Sequence, residues 1–329
     1  MEMTLDEPTQ QVNTHYDIPR KRFQRNRKSL EQSQKPVIVI NQKLPPWPDA
    51  TRGCSNVILR SALFGVVAPG RRKVLWNHQI SASGKTTIIF SGERLDQSDL
   101  NLWLEILHLA RRHELGQKIT FSARSMIKAL GVKSVCGKDI ARLKKNIQRL
   151  NRANITIKDG GVSGRNLVDA YDISSTGEIV ISINPEVANM FSENSWTQIE
   201  LKHRRQLKSQ LSMWLHSFYL SHEHPFHLKT ETLRRLSGSD SDNKEFRRML
   251  RASIAELTTL NWEMKIVGDL VAVKHPKAQY ERPLPAIVVP AHAANESPAH
   301  SPAKPKARKQ PWLEQAIKQA RNQRAKVAL

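Results

Sequence analysis

Two stretches of the chain repeat the same order of predicted elements, Phe121 to Ile157 and Lys229 to Val273. Each starts with a short helix that ends near a glycine, Gly131 in the first stretch and Gly238 in the second. A longer helix and a β-hairpin follow in both. This order is typical of the winged helix, in which a hairpin follows a helix-turn-helix. We therefore predict an α+β fold with two winged-helix (helix-turn-helix) domains in tandem.

The longer helix of each stretch, Lys138 to Asn151 and Asn243 to Leu260, is predicted to be apolar on one face and basic on the other. Apolar residues recur at helical spacing, at Ile140, Leu143, Ile147 and Leu150 and at Phe246, Leu250, Ile254 and Leu257. The opposite faces carry Lys138, Arg142, Lys145 and Arg149 in the first helix and Lys244, Arg247, Arg248 and Arg251 in the second. Because a helix fits the major groove of duplex DNA, where Arg and Lys bind guanine edges and phosphates, we predict that these basic residues bind DNA. The alternative is that each basic stripe is only a solvated helix face.

Each predicted hairpin also carries basic residues. The first is expected to pair Ile155 to Lys158 with Leu167 to Ile173 across a glycine-rich turn, so that Lys158 and Arg165 flank it. Lys265 belongs to the second hairpin. A wing in these positions would meet phosphates or the minor groove. Two recognition helices in successive major grooves would lie about 34 Å apart, which suits direct repeats better than a palindrome.

The charge of the chain supports a polyanionic partner. It has 52 Lys and Arg against 30 Asp and Glu, a formal net charge of +22, and each phosphate that a protein neutralises releases condensed counterions. No apolar run approaches the roughly 18 residues of a spanning helix, and the acidic N-terminus does not resemble a secretory signal. The cysteines, Cys54 and Cys136, lack the spacing of zinc ligands. We expect a cytoplasmic protein without a metal, a cofactor or a membrane partner.

Composition divides the chain into four predicted segments. Residues 1–43 are polar and basic and are expected to form a disordered arm. Residues 44–195 would form the first winged-helix domain and 196–275 the second, entered through a long connecting helix from Thr197 to Leu220. Residues 276–329 are a Pro/Ala/Lys-rich linker and a short basic C-terminal helix.

Several short segments occur in an order that is characteristic of one protein family. They are Leu44-Pro45-Pro46-Trp47-Pro48, Leu59-Arg60-Ser61-Ala62-Leu63-Phe64, Leu95-Asp96-Gln97-Ser98-Asp99-Leu100, Leu107-His108-Leu109-Ala110-Arg111, Trp214-Leu215-His216-Ser217-Phe218-Tyr219 and Leu236-Ser237-Gly238-Ser239. From about 44 to 275 the chain resembles the TrfA-type plasmid replication initiators, which are iteron-binding Rep proteins. The resemblance implies binding to direct repeats (iterons) in a plasmid origin, melting of an adjacent AT-rich segment with the host DnaA protein, and delivery of the replicative helicase. It also implies self-association to a dimer.

Two pentapeptides resemble the sliding-clamp-binding pattern Gln-Leu-x-Leu-Phe, so the host clamp is a further partner that the resemblance implies. In Arg60-Ser61-Ala62-Leu63-Phe64, the candidate clamp contacts are Leu63 and Phe64, provided that both are exposed. The other pentapeptide, Gln210-Leu211-Ser212-Met213-Trp214, lies inside a predicted helix, where we expect its apolar residues to be core.

Three motifs resemble parts of enzyme active sites, but a purely structural role explains each of them better. His222-Glu223-His224-Pro225-Phe226-His227 resembles the two-His metal motif of rolling-circle nucleases, but Glu223 stands where an apolar residue is expected. Ser83-Gly84-Lys85-Thr86-Thr87 resembles the end of a phosphate-binding loop, but the earlier glycine is missing and a strand follows. Asp96 and Asp99 suit helix capping better than catalysis. We therefore predict no catalytic residues and a protein that is not an enzyme. The rival hypotheses are a winged-helix transcriptional repressor on a palindrome and, less favoured, a rolling-circle nicking nuclease.

Overall fold

Alternating short strands and helices begin the described part of the chain. The computed structural model describes residues 43–274 except 69, 71, 159–161 and 193, so the predicted N-terminal arm and C-terminal tail lie outside the described residues. The elements up to the first long helix are β1 (Thr51–Ser55), α1 (Asn56–Leu59), β2 (Phe64–Gly65), β3 (Val74–Ile80), β4 (Thr87–Glu93), β5 (Leu95–Asp96) and α2 (Gln97–Ala110).

The next elements contain the first predicted helix-turn-helix. They are β6 (Lys118–Ser122), α3 (Ala123–Ala129), α4 (Gly137–Arg152), β7 (Asn154–Lys158), β8 (Val162–Asn166), β9 (Val168–Ile173) and β10 (Glu178–Ile183). A 3-10 helix (Pro185–Phe191) and β11 (Trp196–Glu200) follow. We call residues 97–183 the first unit.

The remaining elements contain the second predicted helix-turn-helix. They are α5 (Leu201–Gln206), α6 (Gln210–Leu220), β12 (Leu228–Lys229), α7 (Thr230–Leu236), α8 (Asn243–Thr258), β13 (Glu263–Val267) and β14 (Leu270–Lys274). We call residues 210–274 the second unit. Both long basic helices thus begin and end within two residues of their predicted bounds.

The two units share one strand arrangement. The first has a three-stranded antiparallel sheet in the order β6-β10-β9, and the second has one in the order β12-β14-β13. In both, the last strand lies between the strand that precedes the short helix and the strand that comes immediately before the last one in the chain. In the first unit, β7 and β8 are inserted between the long helix and this pair of strands. The fold is therefore a mixed α/β fold in which one supersecondary pattern occurs twice.

The predicted pairing of the first hairpin is wrong. β7 pairs with β8 and also with β4, where Ile157 lies opposite Ile88, while β9 pairs with β10. The resulting four-stranded sheet has the order β3-β4-β7-β8. Its inner face buries Ile88 and Phe90 from β4 and Ile155 and Ile157 from β7, all at most 2% exposed. Burial of these alternating apolar residues on one face favours the pairing of β7 with β4, in addition to its local pairing with β8.

The predicted long helix from Thr197 to Leu220 is also wrong. Its beginning is strand β11, which pairs antiparallel with β1, and its remainder is divided into α5 and α6. Ser209 caps the start of α6 by accepting a hydrogen bond from the backbone N–H of Ser212, at 3.0 Å. The Glu256 carboxylate of α8 accepts from the backbone N–H of Lys208 at 2.8 Å. These side chains satisfy backbone groups that a continuous helix would have paired internally.

Buried apolar side chains form two main clusters. One surrounds α2 and includes Trp103 and Ile147, and the other includes Trp214, Phe246 and Trp262 in the second unit. Within the described residues, no helix has the length and apolarity needed to cross a membrane.

Candidate nucleic-acid interface

Helix α8 presents a basic face opposite its buried one. Asp242 caps the helix by accepting from the backbone N–H of Glu245 at 2.8 Å, and Phe246, Leu250 and Leu257 are at most 1% exposed. Lys244, Arg248 and Arg251 are exposed on the other side. Because the buried stripe fixes the rotation of the helix, these cations are directed to solvent.

One cation of α8 is bound to the adjacent hairpin. Arg247 pairs with the carboxylate of Asp269 and donates from Nη2 to the backbone oxygen of Gly268 at 2.6 Å. Both acceptors belong to the turn between β13 and β14, and Lys265 is exposed on β13. The Arg247 side chain is 30% exposed. The contact therefore holds the hairpin against α8. It also uses N–H donors of Arg247 that would otherwise be available to a ligand.

Three of the four basic residues predicted on the exposed face of α4 are exposed in the structure. Lys138, Arg142 and Lys145 are exposed, and Arg142 pairs with Asp139 at 2.7 Å while remaining 64% exposed. Asp139 also accepts from the backbone N–H of Cys136 at 3.1 Å at the start of the helix, and this hydrogen bond lowers the pKa of Asp139.

The prediction that Arg149 lies on the exposed face of α4 is wrong. Its side chain is 13% exposed, and its Nη2 lies 2.9 Å from Oδ1 of Asp99, whose side chain is fully buried in α2. Arg72 binds the other oxygen of Asp99 at 2.7 Å. Burial raises the pKa of Asp99, and the hydrogen bond from Arg149 opposes that rise. Because a buried carboxylate must be paired, Arg149 is turned inward.

Lys158 and Arg165 lie on the β7–β8 hairpin that directly follows α4, but this hairpin is outside the three-stranded sheet of the first unit. They are exposed on β7 and β8 in the four-stranded sheet, where Arg165 lies 3.5 Å from Glu186. The second hairpin of the first unit, β9 and β10, belongs to the three-stranded sheet. It has no Lys or Arg and contains Asp169, Asp172 and Glu178. The β9–β10 hairpin is therefore acidic, whereas the β13–β14 hairpin carries Lys265. The predicted pairing missed this difference because it placed Lys158 and Arg165 beside the first wing.

The candidate clamp contacts are not available at the surface. Leu63 and Phe64 are 2% and 1% exposed, and Phe64 lies in β2, which pairs with β5. The prediction that they form a clamp contact is therefore wrong for this fold. Leu211 and Trp214 of the second pentapeptide are buried in α6, as expected of core residues.

The motifs with an enzymatic interpretation have structural roles. His222 lies between the rings of Phe218 and Phe226, with centroids 4.7 and 5.0 Å away, and burial lowers its pKa to about 4. Gly84 is in a left-handed turn between β3 and β4. Asp96 and Asp99 form a capping box at the start of α2. Within the described part of the chain, no group of three His, Cys, Asp or Glu side chains is placed to hold a metal ion.

Sequence patterns did not indicate how the two units are joined. Arg204 of α5 donates to Asn101 and Gln97 of α2, each at 2.8 Å, and to Ser217 of α6 at 2.8 Å. It is 3% exposed, and burial lowers its pKa to about 10. A buried arginine with donors in several directions can join helices in this way.

A second set of contacts joins the turn between α7 and α8 to residues between β2 and β5. Arg94 lies 2.7 Å from Asp240 and also donates to the backbone oxygen of Gly238. The backbone N–H of Val66 donates to the oxygen of Ser237 at 2.8 Å. These contacts hold the start of α8, and hence its basic face, in a defined position relative to the residues that precede the first unit.

Comparison with known families identifies the group to which this architecture belongs. The profile of a family described as TrfA protein matches residues 23–274. The chain belongs to the TrfA family. The match confirms the resemblance that the sequence segments suggested, and it includes both basic helices.

Known relatives of this TrfA-family chain give further context. It is 27% identical over 225 residues to the plasmid replication initiator protein TrfA of Escherichia coli, a region that covers 65% of this chain and 58% of that protein. The chain thus spans less than two thirds of that relative. Among solved structures, it is similar to the Pi initiator protein in complex with iteron DNA, with TM-score 0.38 and 17% identity, covering 51% of this chain and 82% of that one. It is also similar to domains 2 and 3 of RctB, with TM-score 0.45 and 14% identity, covering 67% and 97%.

Proposed function

We propose that this TrfA-family chain is a plasmid replication initiator that binds iterons through two winged helices. The proposal rests on membership of the family together with one structural observation, the repetition of a helix–strand–helix–helix–hairpin order with the same strand arrangement. That order is α2-β6-α3-α4-β9-β10 in the first unit, where β7 and β8 are inserted after α4, and α6-β12-α7-α8-β13-β14 in the second.

The second unit supplies the larger proposed DNA surface. Lys244, Arg248 and Arg251 on α8 would bind bases or phosphates in a major groove. Lys265 would bind phosphate at the wing. Arg247 would join them when a phosphate competes with Asp269 for its guanidinium, because a phosphate accepts the same pair of N–H donors as a carboxylate.

The first unit supplies the other half of the surface. Lys138, Arg142 and Lys145 on α4 would enter a second major groove. Arg149 is left out, because it is committed to Asp99. Lys158 and Arg165 would approach phosphates from the four-stranded sheet, since the β9–β10 hairpin is acidic and would be repelled by DNA.

Direct repeats are the site that best suits this arrangement. Two unlike units in one chain have no two-fold axis between them, whereas a palindrome requires one. Arg204 and Arg94 tie the second unit to the rest of the chain. One chain would therefore cover two successive major-groove segments, about 34 Å apart, as a single body.

The initiator role would be carried out with binding energy and without catalysis. Repeated binding that deforms the duplex would favour melting of an adjacent AT-rich segment. The host partners would be DnaA and the replicative helicase, the site of action would be the bacterial cytoplasm, and a dimer would be a second state of the chain. The sliding clamp is not included, because Leu63 and Phe64 are buried.

A DNase footprint on the DNA that flanks the gene would test this function. At about 150 mM salt, where the non-specific electrostatic affinity is weakened, we expect protection of several direct repeats, each about two helical turns long. A single protected palindrome would instead support a repressor. Uniform protection without boundaries would contradict both.

A further inference from the structure

A cavity of about 190 Å³ lies between α2, the end of α3 and the α5–α6 segment. Much of its wall is apolar and is formed by Leu104, Leu130, Ile199, Leu201, Leu207 and Met213. A cavity of about 150 Å³ with an apolar lining is large enough to bind benzene. The space therefore suits a ligand with one ring or a short branched chain.

Arg52 and Glu105 belong to the polar part of the wall. Arg52 is 5% exposed, and its Nη2 pairs with Glu105 at 2.9 Å while its Nη1 donates to the backbone oxygens of Asp49 and Thr51. The Arg52 side chain is therefore held by contacts within the protein, and it closes this part of the wall.

The cavity also has an excess of positive charge. Arg52, Arg204 and Arg205 line it, and the one acidic group in the wall is Glu105, which is already bound by Arg52. Arg204 uses its donors on neighbouring side chains. Arg205 is exposed at the rim and donates from Nη2 to the backbone oxygen of Ala129. An anion would offset charge that the protein itself leaves uncompensated.

We propose that this cavity binds a small organic carboxylate with an apolar body. Arg205 would bind the carboxylate at the mouth through its planar guanidinium. The apolar body of the ligand would pack against Leu104, Ile199 and Met213. A free phosphate would leave that apolar wall in contact with a strongly hydrated ion, so it is the poorer ligand. This site is separate from the basic helices and does not depend on the proposed function.

Calorimetric titration of the full chain with sodium benzoate would test the proposal, with benzamide as the neutral ligand of the same shape and inorganic phosphate as the anion without an apolar body. We expect saturable benzoate binding with Kd of about 1 mM and much weaker binding of the other two. Arg205→Gln should weaken benzoate binding about tenfold. Arg124→Gln, an exposed arginine of α3 outside the cavity wall, should leave it unchanged.

A second variant tests the apolar part independently. Ala129→Leu would narrow the cavity at the end of α3, where the half-buried Ala129 lies in the wall, and should also weaken benzoate binding. Equal binding of benzoate and benzamide, equal binding of benzoate and phosphate, or unchanged binding in Arg205→Gln would overturn the proposal. So would the absence of benzoate binding to the wild-type chain.

Discussion

Arg149 of α4 donates to the fully buried carboxylate of Asp99 in α2, with Nη2 2.9 Å from Oδ1. Helical spacing predicts that Arg149 belongs to the DNA-binding face of α4. In the structure, it instead links α4 to α2. Asp99 has a second partner in Arg72. The position of α4 therefore depends on an internal charge cluster as well as on its apolar stripe.

Loss of the Arg149 guanidinium should affect stability rather than DNA contacts. Arg149→Ala should lower the free energy of unfolding by about 2–3 kcal/mol, because a buried carboxylate loses one of its cations. Urea denaturation would measure this change. Arg152→Ala, an exposed arginine on the same helix, is the matched control and should change stability by less than about 0.5 kcal/mol. Equal stability of the two variants would contradict the inward role of Arg149.

Removal of the Asp269 carboxylate should strengthen DNA binding. Asp269→Asn frees Arg247 and removes a negative charge beside the basic face of α8, so we expect several-fold tighter binding to iteron DNA at constant salt. Fluorescence anisotropy would measure the dissociation constant. Glu223→Gln, on the exposed connector after α6, removes a charge elsewhere and should have a smaller effect. Weaker binding of Asp269→Asn would show that the Arg247 contact is needed to orient the wing.

Arg204 should couple the unfolding of the two units. Arg204→Met removes hydrogen bonds to α2 and α6 and leaves Gln97 and Asn101 without their partner, at a cost of about 3 kcal/mol. We expect one urea-unfolding transition for the wild type. Arg204→Met should show either two transitions or a single transition with a reduced m-value. Arg204→Lys keeps a charge but cannot donate in all these directions, so it should behave similarly. One transition with an unchanged midpoint would argue against this coupling.

The free energy of unfolding should fall as the pH is lowered, because His222 is kept neutral in the folded state. Burial lowers the pKa of its imidazole to about 4, below its usual value of about 6.5 in the unfolded chain. The neutral form is favoured in the folded state, so this contribution is complete above about pH 6.5 and is lost as the pH falls towards 4. His222→Phe should reduce the fall in the free energy of unfolding over that range, whereas the exposed His224→Phe should not. Parallel pH profiles for wild type and His222→Phe would exclude this role.

Local sequence periodicity predicted the two basic helices well because their apolar residues repeat within one element. It could not predict that β7 pairs with β4, since Ile157 and Ile88 are distant in sequence and only the folded chain places them opposite each other. It also could not predict that Arg149 turns inward, because the partner that attracts it, Asp99, belongs to another helix. The family resemblance was visible in short segments, and the profile match confirms it.

The central proposal is that the two basic helices bind the two halves of one iteron at the same time. Two alanine variants test it, one with Lys138, Arg142 and Lys145 replaced on α4 and one with Lys244, Arg248 and Arg251 replaced on α8. A third, with the exposed Lys43, Lys118 and Lys202 replaced, is the charge-matched control.

The deciding measurement is hydroxyl-radical footprinting of these variants on a duplex with a single iteron, at about 150 mM salt. At roughly 1–3 kcal/mol for each groove contact, both helix variants should lose about a hundredfold or more in affinity, and the control should bind nearly as well as wild type. At concentrations that restore binding, each helix variant should lose protection over a different half of the repeat. If both variants lose the same half, or if either binds like wild type, the account of two helices on one iteron is contradicted.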